Sequence, residues 1–131
     1  MNPSADDLEL ELERFRRKVE AGARYAMTQI LFDLAYLETF LERPGGPSPF
    51  PLVVRVGPIR SHELAVRVHN ETPGIVVPEH VQERYRSAGT GAPAVGASLV
   101  RELTAGTREL AAGIYVVAPF REPLGVLDVL P

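Results

Sequence analysis

Two polar side chains stand at the ends of apolar segments that the sequence pattern predicts to be strands. Gln29 lies near the end of the segment from Tyr25 to Leu31, and Arg121 follows the segment from Ile114 to Ala118 by three residues. Polar groups at the carboxyl ends of parallel strands point into the crevice where ligands bind. The Gln29 amide can donate and accept hydrogen bonds at once, as recognition of a heterocyclic ring edge requires. The Arg121 guanidinium can hold a carboxylate through two parallel hydrogen bonds.

A plainer interpretation fits the same two residues. Gln29 can cap a neighbouring helix, and Arg121 can be a charge exposed to solvent, because both residue types are common in these roles. The pattern of one sequence does not choose between these interpretations, so both stay open at this point.

Other candidate sites are weaker. His62, His69 and His80 could bind a metal together with Glu63, but the sequence lacks the His-Glu-x-x-His spacing of a zinc site. We therefore predict no metal site. The segment 89–92 is rich in glycine, yet it lacks the Gly-Lys-Ser/Thr of a phosphate-binding loop, so a simple helix connection is the better interpretation.

Composition limits the classes of protein to consider. The chain has 131 residues, of which 45% are hydrophobic, so it can build the core of one domain. Its formal charge is -3, and its densest basic stretch, at 14–18, follows alternating glutamates, so we do not expect it to bind nucleic acid. The absence of cysteine excludes disulfides and thiolate sites and fits a reducing compartment.

The same reasoning gives an expected location. No apolar run approaches the roughly 20 residues that a membrane helix needs. The first residues, MNPSADDLELE, do not have the charged-then-apolar order of a signal peptide. We therefore expect a cytoplasmic protein without a membrane-spanning segment.

The first third of the chain predicts a helix, a strand and a second helix. Ser4 and Asp7 form a capping-box arrangement before a run with helical periodicity, and Gly22 supplies a stop. The apolar segment from Tyr25 to Leu31 is then predicted to be a strand, with Asp33 as the N-cap of the next helix.

The remaining elements alternate in the same way. We predict strands at 51–57 and 114–118 and helices at 61–70, 78–88 and 95–110, with a very short additional strand possible at 74–78 and a loop at 89–93. Near-continuous apolar strands alternating with amphipathic helices indicate parallel strands covered by helices. The expected class is therefore α/β, with about three parallel strands and flanking helices. A complete eightfold barrel usually needs about 250 residues, so this chain could form only half of one, or a small open sheet.

Two fixed motifs occur at a fixed spacing: Lys18-Val-Glu-Ala-Gly-Ala23, and then Met27-Thr-Gln-Ile-Leu-Phe-Asp33. They resemble the K-V-x-A-G-A and T-Q-x-x-[FY]-[DE] signature of methylenetetrahydrofolate reductases. Segments 56–61, 75–79 and 113–120 are also similar to that family. The similarity covers nearly the whole chain and is closest to the reductase region of bacterial bifunctional proteins, in which a homocysteine methyltransferase domain precedes the reductase.

This resemblance implies a flavin-dependent (βα)8 barrel that passes hydride from NAD(P)H through FAD to 5,10-methylenetetrahydrofolate, yielding 5-methyltetrahydrofolate for one-carbon and methionine metabolism. It implies that Gln29 contacts the pterin of folate and that Arg121 lies near the folate tail. Lys18 matches a family lysine close to the FAD, and Arg14 and Arg17 fall on positions of the same helix that also approach it. Cations beside the FAD diphosphate are physically sensible.

Residues 1–131 resemble the C-terminal portion of the family barrel, because Asn2-Pro3 is similar to the Asn-Pro that ends the fifth barrel strand. The family's catalytic glutamate and main FAD-binding strands come before that point. The resemblance therefore implies part of a larger or split enzyme, inactive alone, that needs an N-terminal barrel half or self-association. Ile30 and Gly57 depart from the family pattern, which keeps a second hypothesis open: a non-catalytic remnant that acts as a binding or interaction module.

Overall fold

Five α-helices and three β-strands form the part of the chain that the computed structural model describes, which is residues 1–47, 49–118 and 126–127. The helices are α1 (Leu8–Glu20), α2 (Ala35–Glu42), α3 (His62–Glu71), α4 (Glu79–Ala88) and α5 (Ala92–Thr107). The strands are β1 (Ala26–Ile30), β2 (Leu52–Val56) and β3 (Gly113–Val116). All pairing is parallel, in the order β1-β2-β3, so the predicted α/β class is confirmed.

The central strand β2 has one face covered by helices and one face that is not. Leu52, Val54 and Val56 are at most 1% exposed, and they join the core that the helices build over the sheet. We call the other side of the sheet the open face; it carries Met27, Val53, Arg55 and Tyr115. Met27 and Tyr115 are 42% and 46% exposed there, as expected of a sheet covered by helices on one side only.

The start of α1 differs from the prediction. Its N-cap is Asp7, whose side chain accepts a hydrogen bond from the Leu10 N–H at 2.9 Å. The Ser4 hydroxyl instead donates to the side chain of Asn2 at 2.9 Å. Asp7 is an equally good capping residue, and it directly precedes the first helical residue. The helix ends before Gly22, as predicted, and Gly22 takes a φ of 100°, which only glycine adopts readily.

Helix α2 starts one residue later than the sequence predicted. The N-cap position belongs to Leu34, which has no side-chain capping bond. The Asp33 carboxylate still accepts a hydrogen bond from the Ala35 N–H at 2.9 Å. Asp33 therefore stabilises the first turn, as predicted, from one position further upstream.

The short strand considered at 74–78 does not form. Its backbone bonds to side chains instead: the Val77 N–H donates to Nδ1 of His69 at 3.3 Å, and the Val77 carbonyl accepts from the Gln82 amide at 2.8 Å. Because these groups are satisfied locally, the segment does not need to pair with a neighbouring strand.

The prediction of a loop at 89–93 was also wrong. A 3₁₀ turn occupies Gly89–Gly91, and α5 begins directly after it at Ala92. Pro93 lies in the first turn of α5, where the missing N–H of proline has no helical partner to lose. The proline that suggested a loop therefore marks the beginning of the helix.

Helix α5 lies unusually close to the loop that follows β2. A Cβ atom added to Gly96 would overlap the carbonyl oxygen of Ile59, so glycine is what allows this approach. Within the described residues, no helix combines the length and the apolar character that crossing a membrane requires.

Candidate functional site

A β-bulge near the carboxyl end of β1 determines where Gln29 points. At this position β1 has two residues, Thr28 and Gln29, where β2 has only Val54. Thr28 is 4% exposed, and its hydroxyl accepts a hydrogen bond from the backbone N–H of Arg55 at 3.0 Å. A threonine side chain thus takes over a bond that a backbone carbonyl would make in a regular ladder. Bulges re-aim neighbouring side chains and are common beside active sites.

The bulge brings Gln29 next to Arg55. Oε1 of Gln29 accepts a hydrogen bond from the Ile30 N–H at 2.9 Å and lies 3.4 Å from Nη1 of Arg55. Sequence reasoning placed Gln29 at a strand end, and the structure agrees with that position. The sequence analysis did not identify Arg55 as a site residue. A signal was present, because Arg55 is the single charged residue in a strand that is otherwise apolar.

These two side chains line a cavity of about 270 Å³ at the carboxyl end of β1 and β2. The cavity combines strand residues with the N-terminal segment and α1: Met27, Thr28, Gln29 and Arg55, with Met1, Asn2 and Glu11. We call this cavity the crevice. Met1 closes its outer side by pairing with the edge of β1, since its amino group donates to the Met27 carbonyl at 3.1 Å and its carbonyl accepts from the Gln29 N–H at 2.7 Å.

Glu11 brings a buried negative charge to the crevice. The residue is 7% exposed, and its carboxylate accepts a hydrogen bond from the Asn2 N–H at 2.8 Å. The Met1 amino group lies 4.0 Å from the same carboxylate. Burial lowers the pKa of that amino group, the positive charge of Lys18 adds to the shift, and Glu11 opposes it. The amino group therefore gives up its proton more readily than an exposed N-terminus.

The three cations predicted on α1 divide into two groups. Arg14 lies 3.7 Å from the Glu11 carboxylate at the margin of the crevice, and Lys18 follows one helical turn later on the same face. Arg17 is 74% exposed and pairs with Glu13. None of the three cations lines the crevice itself; Arg14 and Lys18 lie beside it, and Arg17 is engaged by Glu13.

The comparison with protein families adds the decisive observation. A model of the methylenetetrahydrofolate reductase family matches residues 1–114. The chain belongs to this family. A search among curated proteins gives no significant match. The family result confirms the resemblance, and with the parallel sheet it identifies the fold as part of a (βα)8 barrel of the methylenetetrahydrofolate reductase type. The chain is thereby placed among oxidoreductases of folate metabolism.

Two positions that depart from the pattern of this reductase family touch each other. A Cβ added to Gly57 would lie 3.1 Å from Cδ1 of Ile30 and 3.2 Å from the carbonyl oxygen of Val117. The Ile30 side chain therefore packs over the strand end where Gly57 leaves room. The two departures form one contact beside the crevice, so they have to be interpreted together.

The other residues that the sequence suggested as site residues do not line the crevice or lie outside the described residues. Arg121 falls outside the described residues, so its predicted role stays a prediction. His80 lies 3.3 Å from the Asp33 carboxylate, while His69 accepts from the Val77 backbone. No group of three potential metal ligands occurs in the described part of the chain.

A larger cavity, of about 490 Å³, lies between α1 and the segment that leads into β2. Phe15 of α1 and Phe50 line it and meet edge to face, with ring centres 5.1 Å apart. It also contains Pro51, at the amino end of β2. Barrel enzymes bind substrates at the carboxyl ends of their strands, so we assign function to the smaller crevice, which contains Gln29.

Proposed function

We propose that this chain supplies the folate-binding side of a methylenetetrahydrofolate reductase that acts in the cytoplasm. The complete enzyme would reduce 5,10-methylenetetrahydrofolate to 5-methyltetrahydrofolate with NAD(P)H and FAD, in one-carbon and methionine metabolism. The observation that carries this proposal is the position of Gln29: in a chain of this family, its amide lines a cavity at the carboxyl end of the strands.

The role of Gln29 in this function is to bind and orient the pterin ring. Its side chain contacts Ile30 and Arg55 through Oε1, while its Nε2 group is available for a ring atom of the substrate. Correct orientation matters because hydride transfer needs the reacting atoms in line at contact distance. Arg121 is proposed to hold a carboxylate of the folate tail, which a planar guanidinium suits.

The residues of α1 fit the charge of a flavin nucleotide. Arg14 is 60% exposed, and Lys18 is exposed on the same helical face, so both can approach a diphosphate. Arg17 is less suited, because its guanidinium already pairs with Glu13. When bound, FAD would supply the hydride transfer itself, and the protein would supply binding and orientation.

A proton donor for the reaction has to come from elsewhere. The catalytic glutamate expected from the family resemblance belongs to the first barrel strand, which has no counterpart among residues 1–131. We propose that an N-terminal barrel half, in a longer protein or in a separate chain, completes the site, or that the chain associates with itself. The chain alone should be inactive.

The first test of this function is the visible spectrum of the purified chain after incubation with FAD. Stoichiometric flavin absorbance that survives desalting would support the enzyme-derived site. A colourless, folded monomer would instead favour the second hypothesis, a non-catalytic binding or interaction module.

A second test uses a barrel completed by co-expression with an N-terminal half. Gln29→Ala should slow the folate half-reaction by about 10- to 1,000-fold, because it removes substrate orientation, and should leave NAD(P)H oxidation nearly unchanged. Stopped-flow measurement of both half-reactions separates the two. Gln82→Ala removes a glutamine on α4, away from the crevice, and is the matched control. Equal losses in both half-reactions would show that Gln29 is structural.

A further inference from the structure

The neighbours of the Gln29 amide determine which end of it faces the ligand. Its Oε1 atom lies 2.9 Å from the Ile30 backbone nitrogen and 3.4 Å from Nη1 of Arg55. A backbone N–H and a guanidinium can only donate hydrogen bonds. A flipped amide would place its own N–H groups against both donors, so the oxygen has to face them and the nitrogen has to face away.

The Nε2 group of Gln29 is therefore the end that remains for a ligand. Within the described residues, no group accepts a hydrogen bond from it, and Gln29 lines the crevice of about 270 Å³. An NH₂ group offers two donors and no acceptor. The atom of a ligand that meets Gln29 in this orientation has to be an acceptor.

The backbone of Arg55 is fixed beside Gln29 by two hydrogen bonds to the β1 segment. Its N–H donates to the Thr28 hydroxyl at 3.0 Å, and its carbonyl accepts from the Leu31 N–H at 3.0 Å. Its Nε atom is buried, and no group among the described residues accepts a hydrogen bond from it. The Glu11 carboxylate that lines the same crevice is engaged by Asn2 and Arg14.

The positive charge of Arg55 adds to the effect. In the described part of the chain Arg55 forms no ion pair, and its guanidinium contacts the Gln29 side chain. A cation beside a cavity favours electron-rich atoms in the ligand and disfavours additional hydrogen-bond donors. Both side chains thus select the same kind of ring edge.

We propose that Arg55 is a positioning residue that fixes the Gln29 amide as a hydrogen-bond donor, so that the crevice selects a heterocycle whose facing edge carries an acceptor such as a ring carbonyl. This inference rests on the proposed function, because it names how the same site distinguishes one pteridine from another. A ring with an amino group in place of the carbonyl would meet the fixed N–H groups donor to donor.

The orientation is measured first, without any ligand. Nuclear magnetic resonance detects the scalar coupling across the hydrogen bond between the Ile30 amide nitrogen and the side-chain carbonyl carbon of Gln29. We expect this coupling in the wild-type chain, its loss or clear reduction in Arg55→Met, and partial recovery in Arg55→Lys, which keeps a cationic donor. Arg67→Met removes an exposed arginine of α3 and should leave the coupling unchanged. An unchanged coupling in Arg55→Met, or none in the wild type, would overturn the proposal.

The selectivity is measured second, by titration calorimetry with folic acid and with aminopterin, which carries an amino group where folic acid carries the ring carbonyl. The wild-type chain should bind folic acid about tenfold more tightly, the effect of roughly one mismatched hydrogen bond. Arg55→Met should lower this ratio clearly, because only the Ile30 N–H then holds the amide oxygen and the amide can rotate more easily to suit either ring. An unchanged ratio would overturn the proposal. If neither the wild-type chain nor a barrel completed by an N-terminal half binds either compound, the folate function fails, and the coupling alone decides the role of Arg55.

Discussion

At the scale of single residues, the polar pair Thr28-Gln29 does two different jobs. The Thr28 side chain points into the protein and accepts a hydrogen bond from the backbone N–H of Arg55, while the Gln29 side chain points into the crevice. In a regular strand, adjacent residues already point to opposite faces, but neither would bond to the neighbouring backbone with its side chain. The hydroxyl of Thr28 is thus part of the sheet, and the amide of Gln29 is part of the site.

Replacement of Thr28 by valine tests whether the hydroxyl of Thr28 stabilises the sheet. Thr28→Val keeps the shape of the side chain but leaves the Arg55 N–H without an acceptor in a buried place. We expect the free energy of unfolding to fall by about 1–3 kcal/mol. Urea denaturation followed by circular dichroism measures the change. Thr28→Ser keeps the hydroxyl and is the control; equal stability of Thr28→Val and wild type would show that the bond contributes nothing.

The sequence predicted some of these residues and not others, for a physical reason. Gln29 was found because a polar residue at the end of an apolar segment is visible along the chain. Arg55 stands out as the one charged residue of β2, but its contact with Gln29 and the bond to Thr28 depend on the register between β1 and β2, which no pattern within either strand contains. Arg121 lies outside the described residues, so its role stays a prediction.

At the scale of elements, the type and order of most segments could be predicted from periodicity, while several ends could not. The start of α1 depends on a competition between Ser4 and Asp7 that the spacing alone does not decide. The start of α5 was missed because Pro93 is equally compatible with a loop and with a first helical turn. Segment 74–78 has the composition of a strand, but side chains satisfy part of its backbone.

The close approach of α5 to the loop after β2 gives a prediction for Gly96. Gly96→Ala should lower the free energy of unfolding by about 1–3 kcal/mol, because the added methyl group meets the rigid backbone carbonyl of Ile59. This loss exceeds the gain of about 1 kcal/mol from the better helix propensity of alanine. Thermal and urea denaturation measure the balance.

Gly91→Ala is the matched control, since an added Cβ would meet only the Ala88 Cβ at 3.9 Å, an ordinary contact. Gly91 is the N-cap of α5, where alanine is less favourable than glycine, so its replacement should cost no more than about 1 kcal/mol. If the two alanine variants were equally stable, helix and loop would have room to separate, and the close packing at Ile59 would not matter.

At the scale of the whole molecule, the described sheet is covered on one side only. The open face exposes Met27 and Tyr115, at 42% and 46%. Beyond Met1, the outer edge of β1 has no backbone partner in the described ranges. Unpaired strand edges and exposed apolar faces favour association with another chain, which agrees with the proposal that further barrel strands complete the site.

Association through the open face is testable with Tyr115. We expect the isolated chain to form dimers or larger species, and Tyr115→Thr to raise their dissociation constant by about tenfold or more, because an exposed aromatic ring contributes strongly to an interface. Threonine keeps the strand preference of the position. Sedimentation velocity over a range of concentrations measures this.

Leu10→Gln is the control for that experiment. Leu10 is 42% exposed on α1 and is not part of the sheet, so its replacement should leave association through the open face unchanged. If both variants raised the dissociation constant equally, association would be non-specific. A strictly monomeric wild type would contradict the role assigned to the open face.

The bulge in β1 also limits how this segment can evolve. It supplies one residue more than the ladder needs, and side chains along a strand alternate between its two faces. Loss of one residue between Met27 and Ile30 would exchange these faces for the rest of the segment and would move Leu31, which is 1% exposed, away from the core. A lineage that keeps this fold can therefore change the residues of the segment, but it cannot change their number.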